Sequence, residues 1–458
     1  MAETGPEIAR IAQGTKAAGV IPPGRMALLF TVMLVTAAGN TAMQSVMPSI
    51  GTALQVDDVW ISLAYSWSAL LWVVCAPFWA RRSDRRGRKA MMALGLVGFI
   101  VSMLLCGLAL YAGLSGWLTA VSALIAFAAA RSLYGGFGSA APPAVQAYVA
   151  SRTPRSERTQ ALSLIASSFG LGTVIGPALA PLMVMPLLGF GLTGPFVWFA
   201  VIGMAALVLL RWRLPDDEPQ FAARGLAATY SSGSGAPSDP QAALDPEEEA
   251  ARMGEPPRLR WLDARLRPWV IAGLVGGHAQ AMVLGISGFL VLDRLGLRDT
   301  PTEGAGPVGL VLMSGAIATL LAQWGLIPRF NLGPRAATLW GIATAALGTV
   351  ILGVAGDLHT IALGYAIASL GFGLFRPGTT AGTSLAVTRA EQGQASGIVA
   401  SLAGASYIYA PALGVWLYGH SDWLGFGLIV ALCAAVLAHG WFTLQADASL
   451  TAERETFE

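Results

Sequence analysis

The sequence predicts an all-α membrane protein with twelve transmembrane helices in two pseudo-symmetric six-helix bundles. Three observations carry this: an apolar composition, charge-free windows long enough to cross a bilayer, and a one-sided placement of lysine and arginine. Of 458 residues, 55% are hydrophobic and 12% charged, with a mean hydropathy of +0.61. A soluble chain carries about 25% charged residues. This one has too little polar surface to face water all round. A barrel is not expected, because its strands would read as short alternating segments instead of long apolar runs.

A spanning helix needs about 20 mostly apolar residues. Windows 26–56, 59–80, 268–292, 304–328, 336–356, 392–421 and 423–446 each hold one such span. Windows 90–130 and 159–210 are too long for one helix. The first is broken at Gly113, Ser115 and Gly116, the second near Pro186, Gly189, Gly191 and Gly194. Two further spans, near 117–150 and 360–388, each contain one arginine, Arg131 and Arg376. With the N-terminus inside, only Arg294 and Arg298 fall in outer loops, so 24 of the 28 basic residues are cytoplasmic. Lysine and arginine are retained on that side, which places both termini in the cytoplasm.

The expected organisation is a cytoplasmic segment 1–25, an N-terminal bundle 26–211, a cytoplasmic linker 212–266, a C-terminal bundle 267–446 and a cytoplasmic tail 447–458. The linker holds Ser231-Ser232-Gly233-Ser234-Gly235 and then Glu247-Glu248-Glu249, a flexible composition. Its end, through Trp261 and Leu262, reads as a short interfacial helix. The first 25 residues lack an apolar core, so no cleaved signal peptide is visible. Cys75, Cys106 and Cys433 all lie in apolar stretches, which argues against a disulfide framework or a metal cluster.

The halves repeat each other. Gly87-Arg88-Lys89-Ala90 with Gly95 matches Gly333-Pro334-Arg335-Ala336 with Gly341. Gln160-Ala161, Ala166-Ser167 and Pro177-Ala178-Leu179 match Gln394-Ala395, Ala400-Ser401 and Pro411-Ala412-Leu413. Parallel repeats of this kind put a substrate site between the halves near the midplane.

Three motifs follow the spans. After the second comes, as an expected loop, Ala80-Arg81-Arg82-Ser83-Asp84-Arg85-Arg86-Gly87-Arg88-Lys89, in which Gly87 suits a tight turn and Asp84 can pair with arginine. The fourth carries Arg131-Ser132-Leu133-Tyr134-Gly135-Gly136-Phe137-Gly138. The fifth carries Gly172-Thr173-Val174-Ile175-Gly176-Pro177, a small-residue pattern that lets helices approach closely. Together these resemble the major facilitator superfamily, in particular its twelve-helix drug:proton antiporter branch of tetracycline-type and multidrug exporters. The first motif differs from the family's Gly-x-Leu-Ala-Asp-Arg-x-Gly-Arg-Lys at Ala80 and Arg82, and the second has Tyr134 where glutamine is usual. The resemblance implies that Asp84, Arg85, Gly87, Arg88 and Lys89 latch the cytoplasmic side. It also implies that Gly172, Gly176 and Pro177 pack helices.

The leading expectation is a secondary transporter that exports a small organic compound by alternating access, coupled to protons. It would work as a monomer in a bacterial inner membrane. A guanidinium in lipid is expensive, so Arg131 should face a cavity or a partner. The expected cavity residues are Asn40, Gln44, Arg131, Tyr134, Gln146, His278, Gln280, Arg376 and Tyr407. No acidic residue lies deep in a span, which leaves His278, His439 and, at outer helix ends, Asp57, Asp58 and Asp293 as titratable candidates, with Asp57 and Asp58 read first as helix caps. Arg376 reads as lying about as far into its span as Arg131, so a second reading is uptake or exchange of a small organic anion held by both. A third is a non-transporting sensor. No catalytic group, metal, cofactor or nucleic-acid partner is expected, since no nucleophile–base pair or phosphate loop is visible.

Overall fold

A computed structural model describes residues 21–153, 155–184, 190–216, 259–260, 263–387 and 392–447. Each described segment that could cross a membrane is helical, because lipid offers no partner for free backbone N–H and C=O groups. The twelve long helical segments are α1 (Pro23–Ala53), α2 (Asp58–Arg86), α3 (Arg88–Leu114), α4 (Ala120–Gly136, carried by a 3₁₀ turn Gly138–Ala140 into Ala141–Arg152), α5 (Arg155–Met183) and α6 (Gly194–Arg213). They continue as α7 (Arg267–Arg294), α8 (Pro301–Leu320, passing through a π-helical turn Leu321–Leu326 into Ile327–Phe330), α9 (Pro334–Val354), α10 (Leu358–Leu385), α11 (Gln392–His420) and α12 (Asp422–Thr443). Ten are long and apolar enough to cross a membrane; α5 is apolar over the shorter stretch Ser167–Met183. The fold class is therefore the all-helical membrane architecture that the sequence predicts.

The end of the molecule where α1 starts and α12 finishes is termed the base, and the opposite end the crown. At the crown, Thr119 caps α4 by accepting from Ser122 N at 3.2 Å. Asp357 likewise caps α10 by accepting from His359 N and Thr360 N at 3.0 and 3.1 Å. Both side chains satisfy amides that a helix start leaves free. At the base, the stretch expected as a loop after the second span is helical through Arg86. Only Gly87 breaks it, at φ 88°, a left-handed conformation that costs glycine nothing. The side chains of Asp84 and Arg85 lie outside the described residues. So do most of the linker, including Trp261 and Leu262, and the breakers Pro186 and Gly189.

The repeat is visible in the packing. α1 packs on α5 and α6, α3 on α4 and α6, and α2 on α4. In the same pattern α7 packs on α11 and α12, α9 on α10 and α12, and α8 on α10. The halves meet through α2–α11 and α5–α8, again a symmetric pair. At the base, Lys89 Nζ lies 3.0 Å from Asp216, just past α6. In the other half Asp447, just past α12, accepts from Arg335 N and Ala336 N at 2.7 and 3.1 Å and caps α9. Each sixth helix thus ties its end to the start of the third helix of its half.

Within the halves, helices pack without the hydrophobic driving force that water supplies, so close approach matters more. A Cβ placed on Gly172 would meet Ala37 and the Leu34 carbonyl, and one on Gly176 would meet Thr41 and the Ala38 carbonyl. Thr41 Oγ1 also donates to Gly172 O at 3.3 Å. The α7–α11 contact is alike: Gly277 faces Ser406 and Gly285 faces Pro411. Pro177 sits on another face of α5, its carbonyl against Gly309 of α8. Large apolar side chains such as Leu108, Val121, Leu182 and Leu347 remain exposed around the outside, the surface that lipid covers.

Gly176→Leu is expected to overpack the α1–α5 contact at a cost of about 1–3 kcal/mol or more. That should appear as a lowered melting temperature of the detergent-solubilised protein. Gly427→Leu, on an open face of α12, should leave it unchanged within about 0.5 kcal/mol. Equal melting of the two variants would show that α1 and α5 are not held by this approach.

Candidate functional site

A central cavity of about 330 Å³ lies between the halves. α1 supplies Asn40, Gln44, Met47 and Pro48 to its wall, and α2 supplies Ser62, Tyr65, Ala69 and Trp72. These spacings of three and four put each set on one helix face. α4 adds Arg131 and Tyr134, α5 adds Phe169, and the C-terminal half adds Gly288 and Phe289 of α7, Leu312 of α8, and Tyr407 and Pro411 of α11. The wall is largely apolar and aromatic.

Among the described residues of this wall, Arg131 carries the charge. It is 3% exposed. Its Nη2 donates to the Asn40 side-chain carbonyl. The guanidinium carbon lies 4.6 Å from the Tyr134 ring centroid and 5.3 Å from that of Tyr65. Among the described residues Nε and Nη1 have no partner, and neither has the Tyr65 hydroxyl. Trp72 and Phe99 in turn hold Tyr134, with ring centroids 5.2 and 5.9 Å away. Cation–π contacts are worth about 0.5–2 kcal/mol each. A central arginine costs roughly 2.5–3.5 kcal/mol by insertion scales and more by others. The aromatic rings and one neutral amide offset part of that cost and leave two donors unmatched.

The second arginine goes elsewhere. Arg131 is the twelfth residue of α4 and Arg376 the nineteenth of α10. Seven residues of helix rise by about 10 Å, so Arg376 lies nearer the base, and the expectation of equal depth is corrected. It lines a separate small cavity of about 50 Å³ with Gln280, Thr379 and Thr383. Tyr407 borders both cavities. Among the remaining expected residues, Asn40, Gln44, Tyr134 and Tyr407 meet Arg131 in the central wall. Gln146 is half-buried in α4 and lines neither cavity. His278 sits at the α7–α11 contact, its Nδ1 2.7 Å from Leu274 O and 3.4 Å from Ser406 Oγ, with its ring against Tyr409. Tyr65, Trp72, Phe169 and Phe289 were not singled out as cavity residues. The signal for two of them was the Asp58, Ser62, Tyr65, Ala69, Trp72 stripe on one face of α2.

The crown side of the seam is closed by an ion-pair cluster. Arg298, in the loop after α7, donates from Nη1 and Nη2 to the two oxygens of Asp58 at 2.9 and 2.7 Å, and from Nη1 to Thr52 Oγ1 at 3.1 Å. Its Nε donates to Asp293 at 2.6 Å. The Tyr418 hydroxyl donates to the other Asp293 oxygen at 2.8 Å. Arg294 pairs with Asp422 at 2.6 Å beside it. Asp58 and Thr52 belong to the N-terminal half, and Asp293 and Tyr418 to the C-terminal half. Asp58 is thus the first helical residue of α2 and a clamp across the seam, which corrects the expected capping role. The bonds to Asp58 and Asp293 hold the Arg298 guanidinium well above its ordinary range despite partial burial, so it stays charged at any working pH. Beneath the clamp, Pro48 packs on Gly288 and Ser49 on Gly304.

Comparison with known proteins adds the lineage. The sequence pattern described as Major Facilitator Superfamily matches residues 29–332. "Multidrug resistance protein 2" of Bacillus subtilis is 29% identical over 181 residues, 40% of this chain and 41% of that protein. The "Probable actinorhodin transporter" of Streptomyces coelicolor is 28% identical over 413 residues, 79% of this chain and 66% of that one. The chain thus spans less than two thirds of the length of each of these curated relatives. The inward-open xylose transporter XylE from E. coli superposes with a TM-score of 0.64 at 14% identity, covering 92% of this chain and 96% of that one. This last likeness is one of fold.

A partly exposed ion pair is worth about 0–1 kcal/mol and more when bidentate. Arg298→Gln is therefore expected to raise the crown-open population roughly 5- to 30-fold, the equivalent of about 1–2 kcal/mol. Spin labels at Trp117→Cys and Gly356→Cys, in crown loops of the two halves and in a Cys75→Ala background, should report longer distances. High salt should do the same more weakly in the parent. Unchanged distances would mean that the apolar α1–α7 contact alone closes this end.

Proposed function

The chain belongs to the Major Facilitator Superfamily, and on that premise we propose that it exports a small organic compound by alternating access, driven by protons moving the other way. The observation that carries the reading is the central cavity itself. It is walled by both halves, it holds one buried charge, and it is shut at one end by a clamp that a rocking motion can break and remake. The lysine and arginine asymmetry makes the base cytoplasmic and the crown external. The structure is then the state closed to the outside. In the opposite state Asp84, Arg85, Gly87, Arg88 and Lys89 would latch the base. The name of the Bacillus relative, a multidrug resistance protein, favours export over uptake. The symmetric packing of the two halves supports a transporter that works as a monomer, and the bacterial relatives support a place in a bacterial inner membrane.

Proton coupling rests on the resemblance to drug:proton antiporters. The described acidic side chains sit in loops and at helix ends, so Asp58 and Asp293 are the carboxylates best placed to take a proton from outside. His278, turned toward the Leu274 carbonyl and Ser406, is a weaker carrier. The pairing of Arg131 with Arg376 around one anion has lost its support, because the two line different cavities.

Purified protein in liposomes loaded with a pH-sensitive dye provides the test. Addition of a transported compound should release protons in the parent. Asp58→Asn should lose the proton signal while retaining downhill movement of the compound. Movement of the compound with no proton movement in the parent would replace antiport by facilitated exchange.

A further inference from the structure

We propose that the central cavity takes an aromatic organic compound with a single negative charge, its carboxylate or ionised phenol docked on Arg131 and its ring system held among Tyr65, Trp72, Tyr134 and Phe289. This rests on the reading of the cavity as the transport site and adds the chemical class of what it carries.

Three donors in this wall lack an acceptor. Arg131 is 97% buried, yet its Nε and Nη1 are without partners. The one side-chain bond it makes goes to a neutral amide. The Tyr65 hydroxyl, whose ring lies beside the same guanidinium, is also unmatched. Among the described residues no carboxylate forms an ion pair with Arg131; arginines that do have such partners, Arg294 and Arg298 at the crown and Arg265 at the base, lie at the ends of the molecule. A guanidinium is kept at this depth where it faces a partner or a cavity. Here the chain supplies the cavity and a ligand anion supplies the partner. Arginine suits this role because its donors are fixed in a plane that matches a carboxylate.

The charge of the ligand follows from the count of charges around it. Among the described residues lining the cavity, Arg131 is the one that carries charge. A second anionic group would have nothing to meet. A cation would meet a fixed like charge in a medium that screens it poorly. A neutral ligand would leave the donors unmatched. The body of the ligand follows from the rest of the wall. Tyr65, Trp72, Tyr134, Phe169, Phe289 and Tyr407 present ring faces and edges, which suit a flat apolar body. Arg376 takes no part.

The test is equilibrium binding by calorimetry to the full chain in nanodiscs, with four probes: 2-naphthoate, 2-naphthamide, 2-naphthylmethylammonium and acetate. 2-Naphthoate should bind at least about 10-fold more tightly than its neutral amide, as a charge-assisted pair predicts, with the ammonium and acetate weaker still. Arg131→Gln should bring naphthoate and naphthamide to equal affinity, and Arg131→Lys should retain part of the preference. Amide or ammonium binding as tight as naphthoate in the parent would overturn the proposal. So would a carboxylate preference that survives in Arg131→Gln, and acetate binding as tight as naphthoate would overturn its aromatic part. The parent series stands even if Arg131→Gln does not fold. Carboxylate-selective binding without transport would sink the export reading and leave this one. Transport of cations and neutral compounds with no anion preference would do the reverse.

Discussion

The close approach of α1 to α5, and of α7 to α11, is the contact on which the rest of the molecule depends. In lipid an apolar side chain gains little by leaving its surroundings, so helices hold together by fit. Gly172 and Gly176 let the α5 backbone reach that of α1, and Gly277 and Gly285 do the same for α7 and α11. Those contacts turn six helices into one body, twice. Two such bodies leave a seam, and the seam contains the cavity.

Three intramembrane or loop arginines show how position decides what a guanidinium does. Arg298 stands at the crown with two carboxylates, a hydroxyl and a half on either side, and becomes a clamp. Arg376 lies toward the base of α10 in a small recess that it shares with Gln280, Thr379 and Thr383. Arg131 lies in the middle, against aromatic faces, with a neutral amide as its bonded partner. The residue type is the same, but the solvation cost grows with depth, so the partner each one needs differs.

The repeat is close in the frame and broken in the site. Asp216 and Asp447 anchor equivalent helix ends at the base, and the helix pairings of one half recur in the other. Asn40, Arg131, Tyr65 and Trp72 all belong to the N-terminal half. The C-terminal half faces them with Gly288, Phe289, Leu312 and Pro411. One half therefore brings the charge and most of the polar contacts and the other, Tyr407 apart, an apolar wall, so the two meet at the centre more by apolar contact than by hydrogen bonds. The bonded network lies at the crown instead.

Much of the frame was legible without coordinates. Charge-free windows give the spans, because lipid tolerates few charges and no free backbone groups. Gly172, Gly176 and Pro177 mark α5 as a packing helix for the same reason. Part of the site was legible as well: Asn40, Gln44, Arg131 and Tyr134 are polar residues where polarity is costly. The aromatic wall was not, since Tyr65, Trp72 and Phe289 look like any other large apolar residue until the facing helix is known. The stretch before Gly87 looked like a loop because its charges suit one, and helix continues there because a helix end at the membrane surface can hold them. Sequence alone determined the helices, the halves and the burial of Arg131, which are local consequences of polarity against lipid. Tertiary structure decided that Arg131 and Arg376 part company and that Asp58 clamps to Arg298, 240 residues away. Depth along a helix and contact across a seam depend on where separate helices dock, which no local pattern records.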